Sequence, residues 1–165
     1  MPTDSAAIES LYPDAFPDED LLPLVRDLLQ EPSAMLSLVG TIEAKVVGHV
    51  IFTKCHVADD AATVALLAPL AVSPAWQKQG IGSAIVRDGF RRLADAGVSH
   101  VYVLGDPGYY ARFGFKPEYR VMPPYELPRE WADAWQSRSL IGAADTGSGK
   151  LTLPRVWHQP ALWAP

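Results

Sequence analysis

The segment that most constrains the fold is residues 63–72, Thr-Val-Ala-Leu-Leu-Ala-Pro-Leu-Ala-Val, which is almost wholly apolar. The side chains of a strand alternate between two faces, so a strand without polar alternation is typical of a sheet that is covered on both sides. Pro69 lies inside this strand and has no N–H to donate to a neighbouring strand. We therefore expect a bulge or a splay at Pro69, which leaves backbone groups of nearby residues free.

A glycine-containing loop and a helix follow this strand. The loop reads Gln77-Lys78-Gln79-Gly80-Ile81-Gly82, and apolar residues recur at helical spacing over residues 81–96, until Gly97, a typical residue at a helix C-terminus. Residues 98–104 are again strand-like. These elements form a βαβ unit over residues 63–104, and such a unit among separate runs of helices and strands predicts an α+β fold.

Weaker patterns predict the remaining elements. Asp4 or Ser5 would cap a first helix that Pro13 interrupts, and Asp18 would cap a second helix that Pro32 ends. The other predicted elements are strands at 35–39 and 45–53 that form a hairpin, a short helix at 109–113, irregular chain at 117–128, and segments 131–141 and 151–157, which are two strands or a helix and a strand joined by a flexible loop at 142–149.

Composition narrows the function classes. The 165 residues, 48% hydrophobic and 20% charged, fit a single domain spanning 1–165. A net charge of −5 argues against a nucleic-acid partner, which would need a basic stripe. The first residues lack a signal-peptide pattern, and no apolar run approaches the roughly 18 residues of a membrane span, so we expect a cytoplasmic protein without a membrane partner. Cys55 has no second cysteine to pair with, so we expect a buried strand residue, and no metal site is indicated.

The loop itself suits a pyrophosphate group. Glycines allow close approach of the backbone, the first amides of a helix have no intrahelical partner, and the helix dipole adds positive potential there. The amides of residues 79–83 would be presented in this way. A Gly-x-Gly before a helix is also common in tight turns, so the loop alone is weak support for ligand binding.

Three other motifs fit less well. Dinucleotide binding requires a third small residue where Ile85 stands. Gly147-Ser148-Gly149-Lys150 resembles a nucleotide-binding P-loop, but Leu151 replaces the required Ser or Thr, so we interpret it as a hairpin loop. Asp145-Thr146-Gly147-Ser148 resembles the surroundings of an aspartic-protease carboxylate, but no second copy occurs in the chain to share the proton.

A second motif lies at a helix-plus-strand distance from the loop. It reads Leu104-Gly105-Asp106-Pro107-Gly108-Tyr109-Tyr110-Ala111-Arg112-Phe113-Gly114-Phe115. Taken in order, Gln77-x-x-Gly80-x-Gly82 and Tyr110-x-x-x-Gly114-Phe115 resemble the signature of the GNAT superfamily of acyl-CoA-dependent N-acyltransferases. The longer phrase is similar to one bacterial branch of acetyltransferases in that superfamily. The resemblance is strong over residues 34–118.

The resemblance implies a mixed, mostly antiparallel sheet that is splayed in its middle and flanked by helices on both faces. The family's first strand normally precedes its first helix, and this chain leaves almost no room for that strand. The resemblance also implies an N-acetyltransferase that uses acetyl-CoA as co-substrate. The residues implied to bind acetyl-CoA lie in the central strand, the loop and the second motif: Leu70, Ala71, Val72, Gln77, Lys78, Gln79, Gly80, Ile81, Gly82, Ser83, Tyr109 and Arg112.

Tyr110 is the implied catalytic residue. A phenol with a pKa near 10 stays protonated at neutral pH, so Tyr110 could protonate the departing thiolate, whose conjugate thiol has a pKa of about 8.5. Tyr109, or neither tyrosine, stays an alternative.

Residues 65–68 contain no carboxylate that could act as a base, which leaves His49, His56, a water relay, or an amine that arrives neutral.

The acceptor is an amine that the sequence does not identify, a small molecule or a peptide, which would attack acetyl-CoA directly in a ternary complex. Trp131, Trp135, Trp157 and Trp163 are expected in the core or on the surface of a homodimer, because aromatic side chains bury large areas in both settings. Trp76 is expected to pack against the helix after the loop. The alternatives are a non-catalytic acyl-CoA-binding or regulatory module and an oligomer-forming structural protein.

Overall fold

The architecture is seen in a computed structural model of the chain, which describes residues 5–30, 35–58, 62–140 and 148–163. Its helices are α1 (Ser5–Ala15), α2 (Leu22–Leu29), α3 (Ile81–Asp95) and α4 (Pro107–Tyr110). Its strands are β1 (Met35–Ile42), β2 (Lys45–Val57), β3 (Thr63–Val72), β4 (His100–Leu104), β5 (Lys116–Pro117), β6 (Val121–Met122), β7 (Trp135–Ser139) and β8 (Gly149–Thr152). Short 3-10 helices lie at Pro74–Trp76, Ala111–Phe113, Arg129–Ala134, Arg155–Trp157 and Pro160–Trp163.

The strands of the described residues form a mixed sheet of eight in the order β5-β7-β4-β3-β2-β8-β6, with β1 paired to β2. β1 and β2 form the predicted hairpin, with Ile42 opposite Lys45. Only β3 with β4 and β6 with β8 run parallel among the described strands, and the other neighbours are antiparallel. The predicted α+β class, with a mixed and mostly antiparallel sheet, is confirmed.

Strand β3 is bulged and splayed where Pro69 predicts it. A register shift leaves Ile51 of β2 opposite two residues of β3, Ala68 and Pro69. On the other side of β3, its pairing with β4 ends at Leu66 and Tyr102 within the described part of the chain. Beyond that point β3 and β4 separate toward their C-terminal ends, so one edge of β3 is left open between them.

Helices cover both faces of this sheet, as predicted. α3 packs on one face, where its apolar side chains join β2, β3 and β4 in a buried cluster that includes Val50, Phe52, Ala65, Leu67, Ile85, Val86, Phe90, Leu93, Val101 and Val103. α1 and α2 lie on the other face, over a second cluster formed by Ile8, Leu11, Tyr12, Val25 and Ala71. Residues 63–72 therefore contribute to both layers, which explains their nearly unbroken apolar sequence.

Three of the C-terminal tryptophans lie in a third buried cluster. Trp135 stacks on Tyr102, with ring centroids 5.8 Å apart, and Trp157 donates from Nε1 to Thr53 Oγ1 at 3.0 Å. Trp163 is also buried there, together with Cys55. Of the two settings expected for these aromatic side chains, the core is the one that these three occupy. The homodimer stays a prediction.

Two helix boundaries differ from the prediction. α1 continues through Pro13 and ends two residues later at Ala15, so Pro13 does not interrupt the helix as predicted. The φ of proline is compatible with a helix, and its position in the last turn limits the disruption to the end of α1. α2 begins at Leu22, whose amide donates to Asp20 Oδ1 at 3.3 Å, so the predicted cap at Asp18 is wrong. The carboxylate of Asp20 lies closer than Asp18 to the first helical turn, where the backbone amides have no intrahelical acceptor.

The C-terminal segments also differ in part. Residues 131–141 begin with a 3-10 helix and continue as β7, and β8 is followed by another 3-10 helix. Gly149 and Lys150 lie in β8, whose neighbours are β2 and β6 rather than β7, so the hairpin interpretation is wrong. The predicted loop at 142–147, the protease-like residues at 145–147, Pro32, and residues 1–4, where a first strand would lie, are outside the described residues.

No helix within the described ranges has an apolar stretch long enough to cross a membrane.

Close packing between α3 and β2 depends on Gly89. A Cβ at this position would lie 2.3 Å from Cε2 and 2.6 Å from Cζ of Phe52, a ring that is fully buried. We expect Gly89→Ala to destabilise the fold by up to about 2 kcal/mol, because overpacking costs about 1–3 kcal/mol and the gain in helix propensity returns about 1. Urea unfolding measures this change in the free energy of unfolding. In a double variant with Phe52→Leu, part of the loss of stability caused by Gly89→Ala should disappear. If the losses of the two single variants instead add up strictly in the double variant, the proposed clash is contradicted.

Candidate functional site

The loop after β3 adopts a left-handed turn at the start of α3. Gly80 is the N-cap residue with φ of +84°, a conformation that glycine reaches without a steric penalty. Its carbonyl accepts the amide of Ala84 at 2.9 Å, which begins the helical hydrogen-bond pattern. The amides of Ile81, Gly82 and Ser83 precede this first bond and therefore have no intrahelical acceptor. Such amides suit an anion, and their predicted contact with a pyrophosphate stays a prediction.

Gln77 ties the loop to the end of β3. Its Nε2 donates to the carbonyl of Val72 at 3.1 Å, and its backbone is extended, with φ of −66° and ψ of 156°. The neighbouring Lys78 has φ of +62°, which a residue with a Cβ rarely adopts. The side chain of Gln77, the glutamine of the first motif, thus has a structural contact that links the loop before α3 to the end of β3.

A cleft of about 450 Å³ lies beside this loop. We call it the loop cleft, and ten of the thirteen residues predicted to act in binding or catalysis line it: Leu70, Val72, Gln77, Lys78, Gly80, Gly82, Ser83, Tyr109, Tyr110 and Arg112. Distant parts of the sequence, the end of β3, the start of α3 and the second motif, are therefore brought together.

The side chains of the other three predicted residues point elsewhere. Ala71 faces α1 on the opposite side of the sheet. Gln79 donates from Nε2 to the carbonyl of Ala75 at 3.3 Å. Ile81 directs its side chain toward Gly40 in β1 and Gly48 in β2. Their implied contribution through the backbone stays a prediction.

Three residues that line the cleft have no signal in the sequence motifs. Ala15 and Phe16, at the end of α1, line the cleft, and so does Trp76 in the short 3-10 helix before the loop. Phe16 stacks on Tyr12, with ring centroids 6.1 Å apart. Ala15 and Phe16 reach the cleft through the packing of α1 on the sheet, which no local pattern in residues 5–16 indicates.

Tyr110 sits in an aromatic cluster at the inner end of the cleft. Its ring packs edge-on against Tyr109, with centroids 5.0 Å apart, and against Phe115 at 5.7 Å. A Cβ at Gly105 would lie only 2.5 Å from Cε2 of Tyr110, so this glycine of the second motif leaves room for the ring. Burial, with a smaller contribution from Tyr109, raises the pKa of Tyr110 above its ordinary value. The phenol is therefore protonated at neutral pH, as the predicted role of proton donor requires.

Tyr109 bridges the second motif and the loop. Its hydroxyl lies 2.9 Å from the place where a Cβ of Gly82 would be, so the two motifs are in direct contact. Arg112 donates from Nε to the carbonyl of Tyr109 at 2.8 Å, and its guanidinium lies 4.3 Å from the ring centroid. Burial raises the pKa of Tyr109, although Arg112 acts in the opposite direction. This arrangement fixes Arg112 at the rim of the cleft.

Neither of the two histidine candidates for a base lines the cleft. His49 is fully buried, with Nδ1 2.8 Å from Tyr12 Oη and Nε2 2.7 Å from Ser37 Oγ, and burial lowers its pKa to about 4. His56 is exposed and lies opposite Thr63, at the far end of β3 from Leu70. At about 3.3 Å per residue, that is on the order of 20 Å along the strand. The structure therefore does not favour either ring as the base, and the identity of the base stays a prediction.

The burial of His49 makes stability depend on pH. The folded state has a pKa of about 4 against 6.5 for an unperturbed imidazole, so the unfolded state binds the proton first. Stability is therefore fully present above pH 6.5 and falls as the pH drops toward 4, by about 2 kcal/mol at pH 5. Urea unfolding at pH 7.5 and pH 5 should show this loss in the natural chain. The His49→Gln variant should not show this part of the loss of stability. An equal loss of stability in both proteins would contradict the assignment of the loss to His49.

The sequence also matches known proteins. The model of the acetyltransferase (GNAT) family matches residues 5–115. The chain is similar to the uncharacterized N-acetyltransferase YjhQ of Escherichia coli (strain K12), with 35% identity over 156 residues that cover 90% of this chain and 86% of YjhQ. It is also similar to the uncharacterized N-acetyltransferase YhbS of the same strain, with 34% identity over 117 residues that cover 70% of each chain.

Solved structures extend the similarity to the fold. The GNAT family N-acetyltransferase YhbS from Escherichia coli, in complex with CoA, has a TM-score of 0.82 at 27% identity and covers 96% of this chain and 89% of its own. A GNAT family acetyltransferase from Brucella melitensis, in complex with acetyl-CoA, has a TM-score of 0.76 at 28% identity, with 95% and 94% coverage. The family match, the relatives and the convergence of both motifs on one cleft agree, and the chain therefore belongs to the acetyltransferase (GNAT) family.

Proposed function

We propose that the protein transfers an acetyl group from acetyl-CoA to a primary amine of a small molecule or peptide. The observation that carries this proposal is that one cleft combines the free amides at the start of α3, the open edge of β3, and Tyr110. Two related proteins of known structure bind CoA and acetyl-CoA. A cleft of about 450 Å³ is also within the range of small-molecule sites.

Each part of acetyl-CoA has a counterpart in the cleft. The pyrophosphate would accept hydrogen bonds from the loop amides up to Ser83, where the helix dipole adds positive potential. The pantetheine arm would run along β3 between Leu70 and Val72, where the backbone has no partner from β4 among the described residues. Arg112 lies at the rim with its charge available to the phosphates. The thioester would then end beside Tyr110.

The reaction would proceed by direct attack with both substrates bound. The amine nitrogen bonds to the thioester carbonyl carbon, and a backbone amide near Leu70 stabilises the oxyanion that forms. The carbon–sulfur bond then breaks, and the CoA thiolate takes a proton from Tyr110. The proton that the acylated nitrogen releases balances the one that Tyr110 gives up. Because neither histidine reaches the cleft, we propose that water carries this proton and that the amine attacks in its neutral form.

The test of this function is thiol release from acetyl-CoA in the presence of a panel of amines, with calorimetry to measure binding of acetyl-CoA alone. We expect binding of one acetyl-CoA per chain and thiol release with at least one class of amine. Binding without thiol release from any amine, together with no effect of Tyr110→Phe, would favour the alternative of a non-catalytic acyl-CoA-binding module. Absence of binding would contradict both readings.

A further inference from the structure

The end of α1 brings to the loop cleft an aromatic ring that neither sequence motif contains. Phe16 lines this cleft and is only half-buried. The same side chain packs at the border of the buried cluster under α1, which includes Ala71 of β3. The two neighbours of Ala71 in the strand, Leu70 and Val72, also line the cleft. Phe16 thus borders the same cleft as the segment of β3 along which the pantetheine arm is proposed to run.

Regular structure gives the Phe16 ring little support. α1 ends at Ala15, and residues 17–20, which follow Phe16, are exposed. The Phe16 amide still donates to the carbonyl of Tyr12 at 2.8 Å, and the two rings stack, with centroids 6.1 Å apart and an angle of 16° between their planes. Because both contacts are made with Tyr12, the position of the Phe16 ring depends on that residue.

Tyr12 is in turn held by hydrogen bonds that reach two strands. Its hydroxyl lies 2.8 Å from Nδ1 of His49 in β2, and Nε2 of that imidazole lies 2.7 Å from Oγ of Ser37 in β1. Tyr12 and His49 are buried, and burial raises the pKa of the phenol and lowers the pKa of the imidazole, so both side chains are neutral at neutral pH. A neutral imidazole donates from one ring nitrogen and accepts at the other, so it can bond both hydroxyls at once.

This buried chain of hydrogen bonds resists movement of Tyr12. If the tyrosine ring moved, its hydroxyl and Nδ1 of His49 would both lose their partner, and such a loss is costly in a protein interior. Among the described residues, every buried side-chain nitrogen and oxygen has a partner. His49 also lies opposite Ala71 in the pairing of β2 with β3. The hydrogen bonds therefore hold α1 against the part of β3 that borders the loop cleft.

We propose that Phe16 is a binding residue for the pantetheine arm of acetyl-CoA, and that Tyr12 and His49 are positioning residues that hold its ring at the cleft. This inference rests on the proposed binding of acetyl-CoA in the loop cleft. The arm carries methyl and methylene groups, and an aromatic ring offers them a large apolar contact. A ring that is fixed before the arm binds loses little conformational freedom on binding, which favours a higher affinity.

The experiment measures the affinity of the full chain for acetyl-CoA and for 3′-phospho-ADP by calorimetry. The second compound keeps the nucleotide and the pyrophosphate of acetyl-CoA and lacks the pantetheine arm. We expect Phe16→Ala to weaken binding of acetyl-CoA about tenfold, because an aromatic ring that covers apolar surface is among the larger single contributions to binding. Tyr12→Phe removes only the hydroxyl that contacts His49, and it should weaken binding of acetyl-CoA about threefold, because the ring beside it must then be ordered on binding. Neither substitution should change the affinity for 3′-phospho-ADP.

Leu11→Ala is the matched control. Leu11 is buried in the same cluster under α1 and is not among the described residues that line the loop cleft. Its truncation should lower the stability of the fold and leave the preference for acetyl-CoA over 3′-phospho-ADP unchanged. A loss of this preference as large as that in Phe16→Ala would show a general effect of loosening α1, and it would overturn the inference.

The natural chain separates a failure of this inference from a failure of the proposed function. If the natural chain binds neither compound, the proposed function fails, and the inference fails with it. If it binds acetyl-CoA and Phe16→Ala weakens both compounds equally, or weakens neither, the proposed function stands and the inference is overturned. Phe16 is half-buried, so its variant gives this answer even where Tyr12→Phe does not fold. An unchanged preference in folded Tyr12→Phe would overturn the positioning role of Tyr12.

Discussion

Tyr110→Phe should lower the turnover number about 100-fold while the affinity for acetyl-CoA changes little, because a positioned general acid contributes roughly 10² to 10⁴ in rate. The substitution keeps the ring, whose contacts with Tyr109, Phe113 and Phe115 hold it in place. It removes only the hydroxyl that would protonate the thiolate. Initial rates of thiol release give the turnover number, and calorimetry gives the affinity.

Three further variants separate chemistry from packing. Gly105→Ala keeps the hydroxyl of Tyr110 but pushes its ring, since the added Cβ would lie 2.5 Å from Cε2, so turnover should fall here too. Tyr119→Phe removes a hydroxyl from an exposed side chain outside the loop cleft and should have no effect. A larger loss of turnover in Tyr109→Phe than in Tyr110→Phe would indicate that Tyr109, rather than Tyr110, is the general acid.

Gly80→Val should weaken acetyl-CoA binding by more than tenfold. The site of the added side chain is open, with no atom within 4 Å of a Cβ, so the effect comes from the backbone rather than from a clash. A β-branched residue is strained at φ of +84°, at a cost of about 1–3 kcal/mol, which favours another loop conformation. The amides of α3 would then no longer converge on the pyrophosphate. Calorimetric titration with acetyl-CoA measures this loss directly.

The chain offers a closely matched control at the other end of the same helix. Gly97 has φ of +87° and is also open to solvent, with no atom within 4 Å of an added Cβ. Gly97→Val should therefore cost a similar amount of stability and leave acetyl-CoA binding intact. If both variants lose affinity equally, the loss reflects a weakened fold and the loop has no special part in binding.

The central part of the fold and most of the loop cleft could be predicted from the sequence. Residues 63–72 form a strand buried on both faces because they carry no alternating polar residue, and Pro69 marks the bulge because it cannot donate a hydrogen bond. Gly80 and Gly97 mark both ends of α3 because the backbone there has positive φ. These features are local, so the sequence expresses them directly.

Features that depend on tertiary packing could not be predicted in this way. Phe16 becomes a wall of the cleft only because α1 packs on β3. His49 looks like a titratable candidate in the sequence, but contacts with Tyr12 and Ser37 enclose both of its ring nitrogens. β8 pairs with β2, which lies far earlier in the chain, with His56 opposite Thr152, and no local turn signal encodes that partner.

The most direct measurement is a crystal structure of the protein with bound acetyl-CoA. We expect the pyrophosphate on the amides at the start of α3, the pantetheine arm between β3 and β4, and the thioester sulfur within about 3.5 Å of Tyr110 Oη, the reach of a hydrogen bond. Acetyl-CoA bound outside the loop cleft, or a thioester turned away from Tyr110 toward another donor, would contradict it.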